Sequence, residues 1–502
     1  VIKHNPQIEL NFTTSKFGSF RVGSVQTYSS SRLMSEPTAT AQVMLRGTVV
    51  QALLGSSVDG RSWTEVLTLN DLCVATMLSR DGKRHTDIVG LVKKVQVVEA
   101  EITGKPEHFV EVVLQDIAGE LANYRIFWHP HLAGRSNIGG LGFLARSKGK
   151  IPRGKPNEVV KSLFQTFMND DYIFKSVDGK TLAEIIEFRG ENSILSDGNT
   201  ALGALGLEGA LWETLSRYSD RPWHELFVDV QHEKELLQSK KDQSSLGKVG
   251  LYHRPTPFDI KSWDKLALSD GWSFDLTEEE RIGDGFELHK DLARVYSFFF
   301  CPGKGLYSAF DQLSMAFDNS GGILPLYDAD LVRRFGFREL AQGTEYIQFI
   351  GAKDSSSGLT TGSNLRKWEA LALRTLYLYQ WFGYTDFYDG MFSVAGRVGP
   401  DPDYGVRIGS ILKREKSNWQ YYVTGVQQAY SFPNNHITRI SVERGRNQES
   451  YKRWWRDRIS SKYNSALSTR LPKNLLVKFG LWQEEDNLKI PALPAMAGDA
   501  VA

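Results

Sequence analysis

Cysteine is almost missing from this chain. Only Cys73 and Cys301 are present, so no disulfide framework is available, and neither has neighbours at metal-ligand spacing. Such sparse thiol usage fits assembly in a reducing compartment. Both cysteines lie in apolar, strand-like surroundings, which predicts buried, inert thiols rather than nucleophiles. An excess of one charge is missing too. The 60 Lys+Arg residues meet 59 Asp+Glu, a net of +1, which excludes a global field drawing the protein to nucleic acid or anionic membrane. Long hydrophobic runs are also absent. The most apolar helical stretch, residues 368–382, is interrupted by Arg374, and residues 295–301 are too few to cross a bilayer. Residues 1–6 lack the charged-then-apolar layout of a secretory leader, so neither a secreted nor a membrane-spanning chain is expected.

Catalytic motifs are equally scarce. His129 and His131 have H-x-H spacing, but no upstream His with an acid four residues on completes a zinc set. His224-Glu225 begins like H-E-x-x-H, and Val228 ends that pattern. The glycines of residues 303–305 and 351–362 lack the order of a phosphate-wrapping loop, and no G-x-S-x-G elbow exists. Glu278, Glu279 and Glu280 follow Thr277 and read as the acidic first turn of a short helix, where the dipole favours negative charge. No catalytic residue, cofactor-binding residue or metal ligand is nominated. The expectation is a protein that is not an enzyme and carries no cofactor.

What the chain does hold is core material and aromatics. Hydrophobic residues make up 41%, and 27 Phe, 19 Tyr and 12 Trp exceed the needs of a bare core, which hints at broad contact surfaces. At about 150 residues per domain, 502 residues suggest about three domains. Residues 1–145 are rich in β-branched runs bounded by Gly, Pro and Asp-Gly. Segments 40–53, 88–102 and 109–114 read as strands, with 62–69 and 121–128 as further candidates. Residues 135–156 read as a loop. Residues 146–219 form a helical and irregular insertion, with helices over 158–168, 182–188 and 211–218 and glycines 203, 206 and 209 between them. Strand signals return in residues 220–445: 225–230 and 249–254 as a long hairpin stopped by Pro255 and Pro257, then 294–301, 406–412, 419–429 and 436–442. A helix over 364–382 places Trp368, Leu371, Leu378 and Phe382 on one face. Residues 446–502 are a basic helix and a Pro-punctuated tail. The fold class is mainly β with α insertions (α+β).

Two segments are more specific. The first is Arg221-Pro222-Trp223-His224-Glu225-Leu226-Phe227-Val228-Asp229-Val230, followed by Leu251-Tyr252-His253-Arg254-Pro255-Thr256-Pro257-Phe258. The second joins Tyr404-Gly405-Val406-Arg407-Ile408-Gly409-Ser410, Tyr421-Tyr422-Val423-Thr424-Gly425-Val426 and Thr438-Arg439-Ile440-Ser441-Val442-Glu443-Arg444-Gly445. In this order they resemble the baseplate hub proteins of phage tails and related contractile injection systems, over roughly residues 215–445. Gln427-Gln428 and Thr438-Arg439-Ile440 depart from the usual residues but keep the alternation.

The resemblance implies two tail-tube-like β-barrel domains per chain, residues 1–145 and 220–445, and a structural homotrimer that adapts the sixfold tail tube to a threefold central spike. Implied partners are the spike, tail tube, tape-measure and baseplate wedge proteins, with no membrane span and no specific nucleic acid. The implied location is the virion tail baseplate, assembled in the host bacterial cytoplasm. No spike-like module follows Gly445, so the spike is expected on another chain. A tail-tip peptidoglycan hydrolase on the same scaffold, or a nucleic-acid-contacting tail protein, are the alternatives. Trp223, Phe227, Pro255, Pro257, Tyr422 and Val426 are expected to be structural, with Tyr422 and Val426 on one strand face and Tyr421 and Val423 on the other. Residues 423–429 and 437–442 suit strand edges that pair between subunits. Tyr451, Trp454, Trp455 and Arg458 fall at i, i+3, i+4 and i+7 of the last helix and are expected to form an assembly interface. The basic residues around them are the basis of the nucleic-acid alternative.

Overall fold

Ile8, Leu10 and Phe12 alternate inward along the first strand, and that period of two governs most of the molecule. The structure, a computed structural model, describes residues 7–49, 58–79, 82–102, 105–126, 154–168, 176–177, 179–192, 209–231, 249–302, 326–347, 362–401, 403–414, 417–433 and 435–459. The readings for His129 and His131, most of 135–156, Gly203, Gly206, residues 303–305 and 351–361, and the tail from 460 lie outside the described residues.

The first region supplies β1 (Ile8–Thr14), β2 (Gly18–Val22), β3 (Val25–Leu33), β4 (Thr40–Arg46), β5 (Leu72–Leu78), β6 (Arg84–Ile102) and β7 (Lys105–Asp116). Their inner faces close over Phe12, Phe20, Val43, Trp63, Ile88 and Val112. Then come β8 (Arg125–Ile126), β9 (Ile186–Gly190), β10 (Gly209–Ala210), β11 (His224–Val230) and β12 (Val249–Pro255). The rest of the chain adds β13 (Ser273–Leu276), β14 (Arg281–His289), β15 (Phe298–Phe300), β16 (Leu326–Tyr327), β17 (Glu339–Ala341) and β18 (Tyr388–Ala395). It ends with β19 (Ile411–Arg414), β20 (Trp419–Ser431) and β21 (Asn435–Asn447).

The fold is mainly β, but no closed barrel occurs among the described residues. One sheet runs β14-β18-β21-β20-β3-β4-β7-β6-β5-β1-β2, with β19 beside β20 and β13 beside β19. The two regions are joined within this sheet, since β3 of the first pairs along β20 from Gly425↔Leu33 to Ser431↔Thr27. For the same reason the segments expected to pair between subunits are already occupied. β20 has β21 on one side and β19 and β3 on the other; β21 lies between β18 and β20.

Within this sheet the chain repeats itself. The first unit, β3-β4-β7-β6-β5, and the second, β14-β18-β21-β20-β19, have the same neighbour order and the same order along the chain. Every ladder in both is antiparallel. Each long hairpin is bulged at the same place, between Val92 and Lys94 in β6 and between Val423 and Gly425 in β20. The bulge inserts a residue and shifts the side-chain phase. Val426 therefore joins Tyr421 and Val423 in one core cluster, while Tyr422 turns into another, contrary to simple alternation.

Local chemistry explains the other departures. Residues 62–69 hold a helical turn, Trp63–Val66, whose Trp63 and Val66 both reach the core at i, i+3. After β7, the Asp116 side chain accepts from Ala118 N–H and starts a 3₁₀ turn that runs into the helix Glu120–Asn123, leaving only β8 extended. Residues 182–188 begin as a helix, Leu182–Ile185, and continue as β9, because Ile186 pairs with Val249 of β12. Asp291 caps a 3₁₀ turn, Leu292–Arg294, so the strand there shrinks to β15. Val406 makes only an isolated bridge to Gly399, and the strand expected from it begins at Ile411.

The hairpin β11–β12 does not belong to the large sheet. With β9 it forms a three-stranded sheet in which every residue of β11 is buried. Its outer side packs with Leu163 and Phe164 of the helix Pro156–Met168 and with Val89 and Leu91 of β6. The helix Gly362–Phe382 is buried all round from Leu371 to Trp381, so it is a core helix rather than an amphipathic one.

Candidate functional site: a charged seam between the two β-units

β11 is an apolar strand with two carboxylates, Glu225 and Asp229, four residues apart and therefore on one face. A buried charge survives only with a partner, and both have one. Asp229 accepts from Arg407 Nε at 2.9 Å and lies 3.6 Å from Arg32 Nε of β3. Arg32 also reaches Asp116, at the end of β7, at 2.9 Å. Glu225 accepts from Arg254 Nε at 2.6 Å and from the Tyr422 hydroxyl at 2.6 Å. Both Arg254 and Arg407 lie over the Trp272 ring, at 4.3 and 3.7 Å from its centroid. Burial alone would lower the Arg254 pKa, but Glu225 and Tyr422 together hold it above its ordinary value.

The backbone is shaped to admit these groups. Gly409 takes φ of 72°, and its carbonyl accepts from Arg254. A Cβ there would stand 2.8 Å from the Arg254 guanidinium and 3.0 Å from Phe227. The segment 406–410 is thus bent around the arginines instead of running as a strand. Arg32, Asp229 and Arg407 line a cavity of about 40 Å³, room for little more than a water, together with Asp87, which binds Tyr28 and Ser30 of β3. The three-stranded sheet and both β-units are therefore pinned at one seam.

Two further buried pairs flank it. Arg397, fully buried, binds Glu280 and the carbonyls of Gly405 and Asp275. Glu280 ends the acidic 3₁₀ turn Glu278–Glu280, so that turn also supplies the accepting carboxylate of a buried ion pair. Asp220 holds Arg374 at 3.0 Å and accepts from the Thr344 hydroxyl at 2.6 Å. Burial would raise the Asp220 pKa, but Arg374, His224 and Thr344 pull it below the usual carboxylate range. Arg374, the charge that interrupts the apolar helix, is thus that helix's anchor, and Trp223 donates its indole N–H to the Arg374 carbonyl.

His253 stacks on His224 at 5.2 Å and is bonded through Nε2 to the Ser219 carbonyl at 3.0 Å. Burial, with His224 beside it, lowers its pKa from 6.5 to about 3. The unfolded chain then binds a proton between those values that the folded chain refuses. Stability is full above pH 6.5 and falls as pH drops towards 3, by on the order of a few kcal/mol. His253→Gln should flatten the pH dependence of the thermal midpoint between pH 6.5 and 4. An unchanged slope would show that another group carries it.

The structure places Trp223, Phe227 and Tyr422 at 0% exposure, Val426 at 9%, Pro255 as the last residue of β12, and Pro257 just beyond it, buried. Trp223 and Tyr422 share one cluster; Phe227 and Val426 share another. The aromatics of the helix Gln448–Ile459 are not offered to solvent. Tyr451 and Trp455 are 0% and 2% exposed and pack on the chain's own Tyr384 and Tyr379. Trp454 is half-buried against the same rings, and Arg458 binds Asp330. Cys73 and Cys301 are both buried, and burial pushes each thiol up. No group of three or more potential metal ligands occurs among the described residues. The seam itself was not nominated from sequence. Its signal is present: charges of opposite sign inside otherwise apolar segments, Glu225 and Asp229 against Arg254 and Arg407.

No known family profile and no curated protein matches the chain. Solved structures do, distantly. The chain is similar to the 43 kDa tail protein of prophage MuSo2 from Shewanella oneidensis, at 12% identity and TM-score 0.45, over 87% of this chain and 98% of that one. It is similar to a tail protein from Neisseria meningitidis MC58, at 9% identity and TM-score 0.45, over 88% and 97%. Prophage tail protein gp18 from Listeria monocytogenes EGD-e matches at 10% identity and TM-score 0.41, over 87% and 94%.

Proposed function

We propose that the chain is a structural hub subunit at the tip of a phage tail or a related injection apparatus. Each chain supplies two tube-like β-units, and three chains set six units in a ring that adapts a sixfold tube to a threefold spike. The observation that carries this reading is the internal repeat, whose two units are already joined edge to edge by β3 and β20 as neighbours in a ring would be. The motif order from Arg221 to Gly445 points the same way. The buried seam suits a static adaptor, because its charges are spent on one another rather than on a substrate. In this reading the partners are the spike, tube, tape-measure and wedge proteins of the baseplate, and assembly takes place in the host bacterial cytoplasm. Light scattering on the purified full chain should give the mass of three chains, with six-lobed rings in negative stain. A monomer at every concentration, or a ring of another number, would overturn the trimer.

A further inference from the structure

The internal repeat contains one strand joint that is filled and an equivalent one that is open. In the second unit, β20 is paired on its outer side by β19 only up to Tyr422, and β3 occupies the remainder, Gly425 to Ser431. In the first unit, β6 is paired on the corresponding side by β5 only up to Leu91. Beyond it the edge from Lys94 has no strand beside it among the described residues. Val97 stands on this stretch 53% exposed, a large apolar side chain without cover. The strand of the second unit that corresponds to β3 is β14, and its outer edge likewise has no strand beside it among the described residues.

We infer that β14 of one chain adds to the open half of β6 of the next, which deepens the ring reading above by naming its joint. The register follows from the repeat. The shared bulge makes Lys94 equivalent to Gly425, and their partners Val113 and Ser441 equivalent in turn. Across the next ladders Gln42 matches Met391, and Ser29 matches Glu287. Because Ser29 faces Ala429, and Val98 is the equivalent of Ala429, Glu287 faces Val98. Antiparallel pairing then sets Leu288 opposite Val97 and His289 opposite Gln96. The exposed valine gains an apolar partner, which is favourable across a ladder. The occupant is a second copy of this chain, because the equivalent edge of β20 is filled by the chain's own β3, and β14 is the counterpart of that strand. The contact is heterologous, β14 to β6 and never β6 to β6, and so builds a ring or a filament rather than a twofold dimer.

Cysteine pairs test it on the full chain. Val97→Cys and Leu288→Cys chains are co-expressed and oxidised, and Gln96→Cys and His289→Cys likewise, since adjacent ladder pairs alternate between wide and close spacing. The native cysteines are buried and do not compete. The expected result is a disulfide between unlike chains in at least one of the two mixtures, identified by mass spectrometry of the joined peptides. Val97→Cys chains alone should stay unlinked. An assembled ring with neither cross-link overturns this joint and leaves the hub reading standing. A monomer without cross-links overturns both. Linkage of Val97→Cys to itself overturns the heterologous geometry.

Discussion

Asp229→Ala is expected to destabilise the chain by about 3–5 kcal/mol, because it strips the shared carboxylate from two buried guanidiniums. Arg407, 3% exposed at its side chain, would keep the Tyr252 hydroxyl at 3.0 Å and the Trp272 ring, neither of which carries a charge to replace the carboxylate. Arg32 would keep Asp116 and so loses less. The conservative Asp229→Asn retains an acceptor for Arg407 and should cost less than Ala. Asp229→Leu combined with Arg407→Met removes both charges and should recover much of the loss, since the penalty lies in the orphaned charge rather than in the missing pair. The readouts are the thermal midpoint and the rate of limited proteolysis. In a chain of this length unfolding need not be two-state, so the first transition is the one to compare. An Asp229→Ala protein with the wild-type midpoint would mean that the seam holds nothing together.

That seam also marks where sequence reading succeeds and where it stops. β11, β12, β20 and β21 were legible because their apolar residues recur in runs bounded by Pro, Gly or Asn. The helix Pro156–Met168 was legible because Val159, Leu163, Phe164 and Phe167 recur at helical spacing. The bulge between Val423 and Gly425 was not, since it leaves the composition of the strand unchanged while reversing which residues face which core. Short turns such as Trp63–Val66 looked like strands because four residues cannot display a period. The repeat is not legible in the sequence for a different reason. β3 and β4 adjoin in the chain, whereas their counterparts β14 and β18 are separated by an insertion that includes the core helix Gly362–Phe382. Only the ladders, not the sequence spacing, bring the two units into correspondence. The ion pairs are half-legible. Charges inside apolar strands announce that partners exist, and Glu225 faces Arg254 across the hairpin, but Tyr422 and Arg407 reach Glu225 and Asp229 from far along the chain and nothing local announces them.

Trp455→Ala is expected to cost about 3–5 kcal/mol in the isolated chain, the usual penalty for emptying a large buried aromatic site. The helix Gln448–Ile459 is clamped on its own subunit at several points. The Tyr451 hydroxyl donates to the Gln380 carbonyl at 2.7 Å, Lys452 lies 2.6 Å from Asp264, and Arg458 lies 3.0 Å from Asp330. Arg446 lies over both Tyr451 and Trp263, each at 3.9 Å, so the start of this helix is also bound to the helix Ile260–Ala267. A helix reserved for a neighbouring subunit would leave the monomer folded when Trp455 is removed and would fail only in assembly. A helix that completes the core predicts the reverse order of events: the thermal midpoint falls first, and assembly fails because the subunit is unstable. Tyr451→Phe separates the two contributions, since it keeps the ring packing and loses one hydrogen bond worth about 0.5–1.5 kcal/mol. Truncation after Gly445 would uncover Tyr379, Tyr384 and Phe387 together, and the expected product is an aggregating chain rather than a soluble monomer. Exposed Arg453 and Arg456 remain on the outer side of the helix, and their replacement by Ala should leave the midpoint unchanged. A soluble, cooperatively melting Trp455→Ala chain that does not assemble would return the helix to the role of an interface.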